Sequence, residues 1–146
     1  MSNTDEIILE ITTWQQAKED AISVRRRVFI EEQQVLEEIE IDGTDEGFEH
    51  IVAFNMKHEA VGTARLNGKG CIGRMAVLES YREKGVGKSM LQKLIEFGKA
   101  KGIKQFQLGA QEHAVEFYRK SGFEPDGEEF WEAGIRHIPM KLRICL

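Results

Sequence analysis

Short runs of apolar residues along the chain predict strands, separated by turns and by two longer amphipathic helices. The predicted strands are residues 6–11, 50–54, 60–66, 71–77, 105–108, about 128–132 and about 136–143. Turn-like sequences rich in Gly, Asn, Lys and His join the strands between residues 50 and 77. Those three strands are therefore expected to form an antiparallel meander.

The first amphipathic segment predicts a helix from Trp14 to about Glu31. Either Thr12 or Thr13 can cap it, because a threonine hydroxyl accepts a hydrogen bond from a backbone N–H of the first turn. The apolar positions recur at helical spacing, and they are Ala17, Ala21, Val24, Val28 and Phe29. The next segment, residues 32–49, has few such positions and predicts a loop with room for one short helix.

The second amphipathic segment predicts a helix from near Gly87 to Gly102, since glycine suits the residue that follows a helix. Strand 71–77 precedes this helix and strand 105–108 follows it. Strand, helix and strand in this order form a βαβ unit, so the two strands are expected to run parallel. A shorter helix over residues 112–120 is expected before the last two strands.

The composition suits a soluble protein with one domain over residues 1–146. Apolar residues make up 41% and charged residues 31%, which argues against a disordered chain. No apolar run is long enough to span a bilayer, and the acidic start MSNTDEIILE lacks the order of a signal peptide. We therefore expect a cytoplasmic protein with no membrane partner.

The charges and cysteines narrow the classes of partner. The formal net charge of -5 argues against nucleic acid and fits a cationic small molecule better. Cys71 and Cys145 have no CxxC neighbour, so no zinc or redox site is indicated and two free thiols are expected.

The carboxylates of residues 37–49 could attract a cationic acceptor, but a solvated acidic loop is favoured. The spacing of these carboxylates does not fit a calcium loop.

The stretch Arg82–Ser89 reads REKGVGKS and ends like a phosphate-binding P-loop. A P-loop would need glycine in place of Arg82 and a magnesium-binding aspartate after a neighbouring strand, where residues 108–111 read LGAQ. A Rossmann fingerprint would need glycine or alanine in place of Met90. These mismatches argue against a nucleoside triphosphatase and against a dinucleotide site.

The same stretch still has the properties of an anion site. It joins an apolar strand to a helix N-terminus, where backbone N–H groups and the helix dipole favour negative charge. Gly85 and Gly87 permit close approach of an anion, and Arg82, Lys84 and Lys88 add positive charge. The alternative is a solvated basic turn before a glycine-capped helix, and the strand–loop–helix context favours the anion site.

These residues resemble a known family, the GNAT N-acetyltransferases. Arg82-x-x-Gly85-x-Gly87 matches the Q/R-x-x-G-x-G/A loop that grips the pyrophosphate of acetyl-coenzyme A in that family. Residues 74–77, RMAV, resemble the family's bulged central strand. Residues 114–123, AVEFYRKSGF, resemble its A-x-x-x-Y-x-x-x-G-F segment at the family's spacing.

Other segments narrow the resemblance to the small bacterial ElaA/YjcF-like branch. They are RVFIEEQ at residues 27–33, Asp42, His50, GTAR at 62–65 and GIRH at 134–137. The resemblance implies an α/β fold with a central, mixed, twisted sheet of about six to seven strands flanked by helices. It also implies that the two central parallel strands splay apart and admit the pantetheine arm of the cofactor.

The resemblance implies which residues hold acetyl-coenzyme A, and it implies no metal. The backbone of Met75, Ala76 and Val77 is expected to bond the pantetheine arm like an added strand. Gln111 stands where many members of the family have asparagine, and it is a further candidate for contact with this arm. The residues expected to form the pyrophosphate site are Arg82, Glu83, Lys84, Gly85, Val86, Gly87, Lys88 and Ser89, and Arg82 is expected either to contact the pyrophosphate or to brace the loop.

Tyr118 is the catalytic acid that the resemblance implies. A phenol has an unperturbed pKa of about 10, so it stays protonated at neutral pH and can protonate the departing thiolate. The alternative for Tyr118 is a tyrosine that only packs beside Phe117 and Phe123.

Three candidates for the general base lie in the branch-specific segments. His137 is of a residue type that titrates near neutral pH, Glu32 ends the first predicted helix, and His50 begins a strand. Water alone is a further alternative. His113 is expected to cap or pack at the start of the short helix.

The resemblance therefore implies an N-acetyltransferase that moves the acetyl group of acetyl-coenzyme A to a primary amine of a small molecule or peptide. Direct attack without a covalent enzyme intermediate is expected, since neither cysteine lies in an activated setting. A homodimer is compatible with the resemblance. The rival interpretation is a non-catalytic sensor or scaffold that binds coenzyme A without turnover.

Overall fold

The computed structural model describes residues 6–144, and four strands from the first part of the chain form one antiparallel sheet. They lie in the order β1 (Ile8–Thr13), β2 (Glu49–Phe54), β3 (Ala60–Leu66) and β4 (Ile72–Val77). The predicted meander of β2, β3 and β4 is confirmed. Strand β1 adds to it by pairing with β2, which leaves β2 and β3 buried at the centre of the sheet.

Helix α1 (Trp14–Arg25) packs on this sheet and begins where the sequence predicts. The Thr13 hydroxyl accepts a hydrogen bond of 3.4 Å from a backbone N–H of the first turn, so Thr13 is the cap. A π-helical segment (Arg26–Glu32) continues the helix to about its predicted end. The N–H of Gln33 bonds the carbonyl of Val28, five residues earlier, at 3.1 Å, which closes this wider turn.

In the acidic segment that follows, most carboxylates are exposed, as in the solvated loop that the sequence favours, but two of them are buried. The segment contains helix α2 (Glu37–Glu40) and a 3₁₀ turn (Asp45–Gly47). Within it, Glu40 and Asp45 are only 4% and 2% exposed. The expectation is therefore wrong for these two carboxylates, because arginines from other elements neutralise them and allow their burial.

A second antiparallel sheet is built from the later part of the chain. Its strands are β5 (Gln105–Gln111), β6 (Glu124–Pro125), β7 (Phe130–Glu132) and β8 (Ile135–Arg143). Strand β8 pairs with β5 along one edge and with β6 and β7 along the other. Strand β6 was not predicted, since two residues including a proline carry no strand pattern.

Strands β4 and β5 meet at only one end. Helix α3 (Val86–Ala100) connects them, and Cys71 and Gln107 form an isolated parallel bridge. No other pairing joins β4 to β5 among residues 6–144, so the strands diverge beyond the bridge and the sheet divides into two halves. The predicted mixed, splayed fold is confirmed, with eight strands in the described part of the chain where about six to seven were expected.

The core lies between α3 and the two half-sheets. Met90, Leu91 and Leu94 of α3 are fully buried, as is Phe106 of β5. A Cβ atom at Gly98 would lie 2.6 Å from the Phe106 ring, so only glycine lets α3 approach β5 this closely. Helix α4 (Val115–Arg119) follows the 3₁₀ turn Glu112–Ala114.

None of the helices within residues 6–144 combines the length and the apolar character that a membrane crossing needs. Cys71 carries a free thiol, as predicted. The prediction for Cys145 falls outside the described residues.

Candidate active site

The divergence of β4 and β5 opens a cavity of about 700 Å³ between the half-sheets. Residues 73–77 of β4 form one wall, and the end of β5 forms the opposite wall. The π-helical segment and the β7–β8 turn close the remaining sides. Several of the predicted site residues line this cavity, and they are Glu32, Met75, Ala76, Val77, Arg82, Gln111, Tyr118 and His137.

A β-bulge directs Arg74 into the cavity. Between two regular pairs, β4 has two residues, Arg74 and Met75, opposite the single residue Ala64 of β3. Arg74 adopts a φ of 50°, in the left-handed region that non-glycine residues rarely occupy. Consecutive side chains of a regular strand point to opposite faces, whereas Arg74 and Met75 both line the cavity. The bulge implied by the family resemblance is thus present.

The predicted pyrophosphate loop lies between β4 and α3. Glu83 and Gly85 have φ values of 62° and 85°, and α3 begins directly afterwards at Val86. No side chain caps this helix start, so the N–H groups of its first turn remain available to an anion. Gly87 has a packing role as well, since a Cβ atom there would lie 3.2 Å from the Phe117 ring.

Arg82 joins the loop to the π-helical segment. Its two terminal nitrogens donate to the two carboxylate oxygens of Glu32 at 2.7 and 2.6 Å. Its Nε donates to the carbonyl of Val77 at 2.8 Å, at the end of β4. The hydrogen bond from Arg82 holds the pKa of Glu32 below its usual value. Glu32 is therefore an ionised partner of Arg82 in this arrangement.

Tyr118 presents its hydroxyl inside the cavity. The hydroxyl lies 3.5 Å from Sδ of Met75, and the ring makes edge-to-face contacts with Phe117 and Phe123. Burial in these apolar surroundings raises the pKa of the Tyr118 phenol above its ordinary value. The phenol is consequently a proton donor at neutral pH. Tyr118 both packs and reaches the cavity, so the two alternatives for this residue do not exclude each other.

His137 lies on β8 and lines the cavity. Its Nδ1 lies 2.8 Å from the carbonyl of Ile135, and its ring stacks on Phe130 with centroids 5.2 Å apart. A carbonyl oxygen only accepts hydrogen bonds, so Nδ1 must carry the proton. In the neutral ring the lone pair is then on Nε2, which leaves that nitrogen able to accept a proton.

His50 lies apart from the cavity. It is 1% exposed, its Nε2 is 3.0 Å from the carbonyl of Asp45, and its ring packs on Trp14. Burial lowers the pKa of His50 below its ordinary value, so the ring is held neutral. These contacts indicate a structural role for His50. His113, by contrast, lines the cavity.

Gln111 forms a reciprocal amide pair with Gln33. Each side-chain nitrogen donates to the oxygen of the other amide, at 3.2 and 3.0 Å. The pair links the end of β5 to the residue that follows the π-helical segment. Both side chains also line the cavity, and the contact of Gln111 with the pantetheine arm stays a prediction.

Sequence reasoning missed a buried ionic cluster behind the β4 wall. Arg25 donates to Glu40 at 2.7 Å and to Asp45 at 2.8 Å, and Arg65 donates to Asp45 at 2.7 Å. Arg74 reaches Glu40 Oε2 at 3.2 Å. The sequence did contain one sign that Arg25 is buried. Arg25 follows Ala21 by four residues and precedes Val28 by three, which places it on the apolar face of the first helix.

Comparisons with known proteins agree with this geometry. A family model described as an acetyltransferase (GNAT) domain matches residues 13–144. The uncharacterized N-acetyltransferase YjcF of Bacillus subtilis (strain 168) is 40% identical over 125 residues, which cover 83% of this chain and 89% of that protein.

Solved structures share the fold. The crystal structure of Escherichia coli ElaA matches with a TM-score of 0.83 and 28% identity, covering 94% of this chain and 100% of that one. A GNAT family acetyltransferase from Elizabethkingia anophelis, solved with acetyl-CoA bound, matches with a TM-score of 0.69 and 18% identity over 98% of this chain and 100% of that one.

Proposed function

The chain belongs to the GNAT acetyltransferases, in the ElaA/YjcF-like branch, and from that premise we propose that it moves the acetyl group of acetyl-coenzyme A to a primary amine. The membership makes it an acyltransferase. The observation that carries the finer proposal is the cavity between β4 and β5, where a buried phenol, a histidine and the start of the pyrophosphate loop converge.

The proposed cofactor position follows from the backbone groups left without partners. Beyond the bridge at Cys71, the edge of β4 that faces β5 has no paired strand among residues 6–144. An extended pantetheine arm carries amide groups that can pair with such an edge. The pyrophosphate then lies at the start of α3, where N–H groups and the helix dipole favour an anion. Acetyl-CoA bound to the Elizabethkingia anophelis relative supports this choice of cofactor.

The proposed reaction is direct attack on the thioester. The amine nitrogen forms a bond to the carbonyl carbon, the C–S bond breaks, and the departing thiolate takes the phenolic proton of Tyr118. Burial keeps the Tyr118 phenol protonated until the thiolate forms, and it removes water that would compete for the hydrogen bond between the phenol and the sulfur.

His137 is the proposed base, and Glu32 is proposed to position Arg82 instead. The lone pair of Nε2 in His137 is available to the amine proton, directly or through one water. Both oxygens of Glu32 already accept hydrogen bonds from Arg82, and its lowered pKa makes it a weaker base. Exchange with solvent then restores the protonation of Tyr118 and His137.

Two measurements test the proposal. An acetylation assay with acetyl-coenzyme A should yield product with at least one member of a panel of polyamines, amino acids, aminosugars, aminoglycosides and peptides. Acetyl-coenzyme A at about 100 times its Kd should stabilise the protein by about 2.7 kcal/mol, and magnesium ATP should not. Stabilisation without turnover on any amine would favour the sensor or scaffold, and no stabilisation would contradict the cofactor assignment.

A further inference from the structure

Phe130 of β7 lies in the cavity beside the proposed base. Its ring stacks on the ring of His137, with centroids 5.2 Å apart and an angle of 19° between the two planes. The tip of the same ring lies over Gly109 of β5, where a Cβ atom would be only 2.7 Å from Cζ of Phe130. All three residues line the cavity. The missing side chain of Gly109 thus leaves room in the cavity wall for the aromatic ring.

The cavity contains apolar surface that the protein itself does not cover. Phe130 is 37% exposed, although burial of an aromatic side chain is favourable. Ile39 of α2 also lines the cavity and is 42% exposed. Phe29, Val35 and Ile135 provide further apolar wall. Apolar and aromatic side chains around a few polar groups are the usual lining of a small-molecule site.

Most of the polar groups in the same wall are already paired with one another. The pairs are Glu32 with Arg82 at 2.6 Å, Gln33 with Gln111 at 3.0 Å, and Glu40 with Arg74 at 3.2 Å. A polar body of the acceptor would have to exchange these bonds for its own, which gives little net free energy. Outside these pairs, the titratable lining residues in the described part of the chain are His113, Tyr118, His137 and the exposed Glu132.

We infer that Phe130 determines acceptor specificity, and that the preferred acceptor is a primary amine with an apolar ring close to its nitrogen. This inference rests on the proposed function, since it names the acceptor class of that same site. When the amine lies within hydrogen-bond reach of His137, its body lies next to Phe130, which contacts the imidazole. Contact between two aromatic rings then adds to the burial of apolar surface.

The test compares primary amines that differ only in their body. For spacers of one to three carbon atoms, kcat/KM is measured for the phenylalkylamine, the alkylamine without the ring, and the piperidin-4-yl alkylamine, whose ring is charged. The phenyl compound should exceed both others by about tenfold to a hundredfold at its best spacer, the range that burial of an aromatic ring supplies. Equal values with and without the phenyl ring would overturn the inference. A preference for the piperidine compound would also overturn it and would point to a cation site at Glu132.

Variants of β7 assign the preference to Phe130. Phe130→Ala should reduce the ratio of kcat/KM between the phenyl compound and the alkylamine by about tenfold, and Phe130→Leu should retain most of that ratio. Any change at His137 that slows all amines alike cancels in the ratio. Trp131→Ala is the matched control, because Trp131 is the next residue, is 66% exposed and does not line the cavity. An unchanged ratio in Phe130→Ala, or an equal loss in Trp131→Ala, would contradict the role of Phe130. Should Phe130→Ala not fold, Phe130→Gln provides the same comparison.

A binding measurement separates this inference from the proposed function. With coenzyme A present, the phenylalkylamine should raise the melting temperature of the protein and the matched alkylamine should not. If no amine were acetylated but the phenyl compound alone stabilised the protein, the proposed function would fail and the apolar acceptor site would stand. If amines were acetylated at rates independent of the ring, the proposed function would stand and the apolar acceptor site would fail. Stabilisation by neither compound, or by both equally, would also overturn the site.

Discussion

Tyr118 and His137 show how single side chains acquire chemical roles from their surroundings. The Tyr118 hydroxyl lies near the sulfur of Met75 in an apolar enclosure, so its pKa rises and the phenol remains a donor. The bond between His137 Nδ1 and the carbonyl of Ile135 fixes the tautomer of His137 and leaves Nε2 to act as an acceptor. A hydrogen-bond donor and a hydrogen-bond acceptor thus line the same cavity.

Replacement of Tyr118 by phenylalanine should lower kcat by about 10²–10⁴-fold, because it removes one proton donor and little else. Stabilisation by acetyl-coenzyme A, read from the melting temperature, should be unchanged. Tyr81→Phe serves as the matched control, since the Tyr81 hydroxyl bonds Asn55 at 2.9 Å and does not line the cavity. An equal loss of kcat in both variants would contradict the assignment of Tyr118.

Replacement of His137 by glutamine should lower kcat/KM at neutral pH, and the deficit should shrink near pH 10. The reason is that an acceptor amine with a pKa of about 10 needs no base once it is already deprotonated. A rate profile against pH measures this recovery, with His58→Gln as a control outside the cavity. If Glu32→Gln showed the recovery and His137→Gln did not, Glu32 would be the base.

At the scale of elements, the β7–β8 hairpin forms the part of the cavity wall that carries His137. Glu132 pairs with Ile135, so the turn between them has two residues, Ala133 and Gly134. Both have positive φ, 54° and 76°, as in the turns that match the twist of a hairpin. Glycine adopts this conformation freely, whereas alanine does so at a cost of about 1–2 kcal/mol. Ala133 is therefore a strained position in the hairpin that carries His137.

Ala133→Asn should raise the free energy of unfolding by about 0.5–1 kcal/mol, because asparagine tolerates the left-handed region better than alanine. Ala133→Val should lower it, since a β-branched side chain is least suited to positive φ. Urea denaturation of both variants provides the measurement. Destabilisation by asparagine would show that the side chain at 133, rather than the backbone conformation, decides the stability of this turn.

At the scale of the whole molecule, a buried ionic cluster joins α1, α2 and the first sheet. Burial alone would raise the pKa of Asp45, but hydrogen bonds and charges from Arg25 and Arg65 outweigh it and lower that pKa. Burial lowers the pKa of His50. Both groups bind protons less readily in the folded chain than in the unfolded one, so their contribution to the free energy of unfolding increases with pH. The pKa of Glu40 is raised, so its contribution to the free energy of unfolding decreases with pH.

Acidification should therefore destabilise the protein in two ranges. The contribution of His50 is complete above its unfolded pKa of about 6.5 and declines as the pH falls toward its lower folded value. The contribution of Asp45 is complete above about 3.9 and declines as the pH falls through its folded pKa. Urea denaturation between pH 8 and pH 2 measures the free energy of unfolding across both ranges.

The variant His50→Gln separates the contribution of His50 to the free energy of unfolding from that of Asp45. The difference in unfolding free energy between the unaltered protein and His50→Gln should shrink as the pH falls from 7 to 5, and His58→Gln should show no such change. A difference that stayed constant with pH would contradict the lowered pKa of His50. Comparison with a variant also removes the opposing contribution of Glu40, which is common to both proteins.

The sequence by itself determined the order of the elements and the place of the loop. Apolar spacing, turn residues and helix caps act over a few residues, so the helix starts at Trp14 and near Gly87, and strand 60–66, could be predicted from local patterns. The motif from Arg82 to Gly87 could also be recognised in the sequence. The loop lies between one strand and one helix that are neighbours along the chain, so local patterns suffice to identify it.

Only the tertiary structure decided which charged and polar side chains meet. Arg25 pairs with carboxylates 15 and 20 residues away, and Glu32 pairs with Arg82 across 50 residues. A buried charge is stable only beside a partner, and no local pattern specifies a partner so distant in the chain. The bulge at Arg74 likewise depends on the register of two strands. The burial of Glu40 beside Arg25 and Arg74 is therefore a property of the folded protein that the acidic run in the sequence could not reveal.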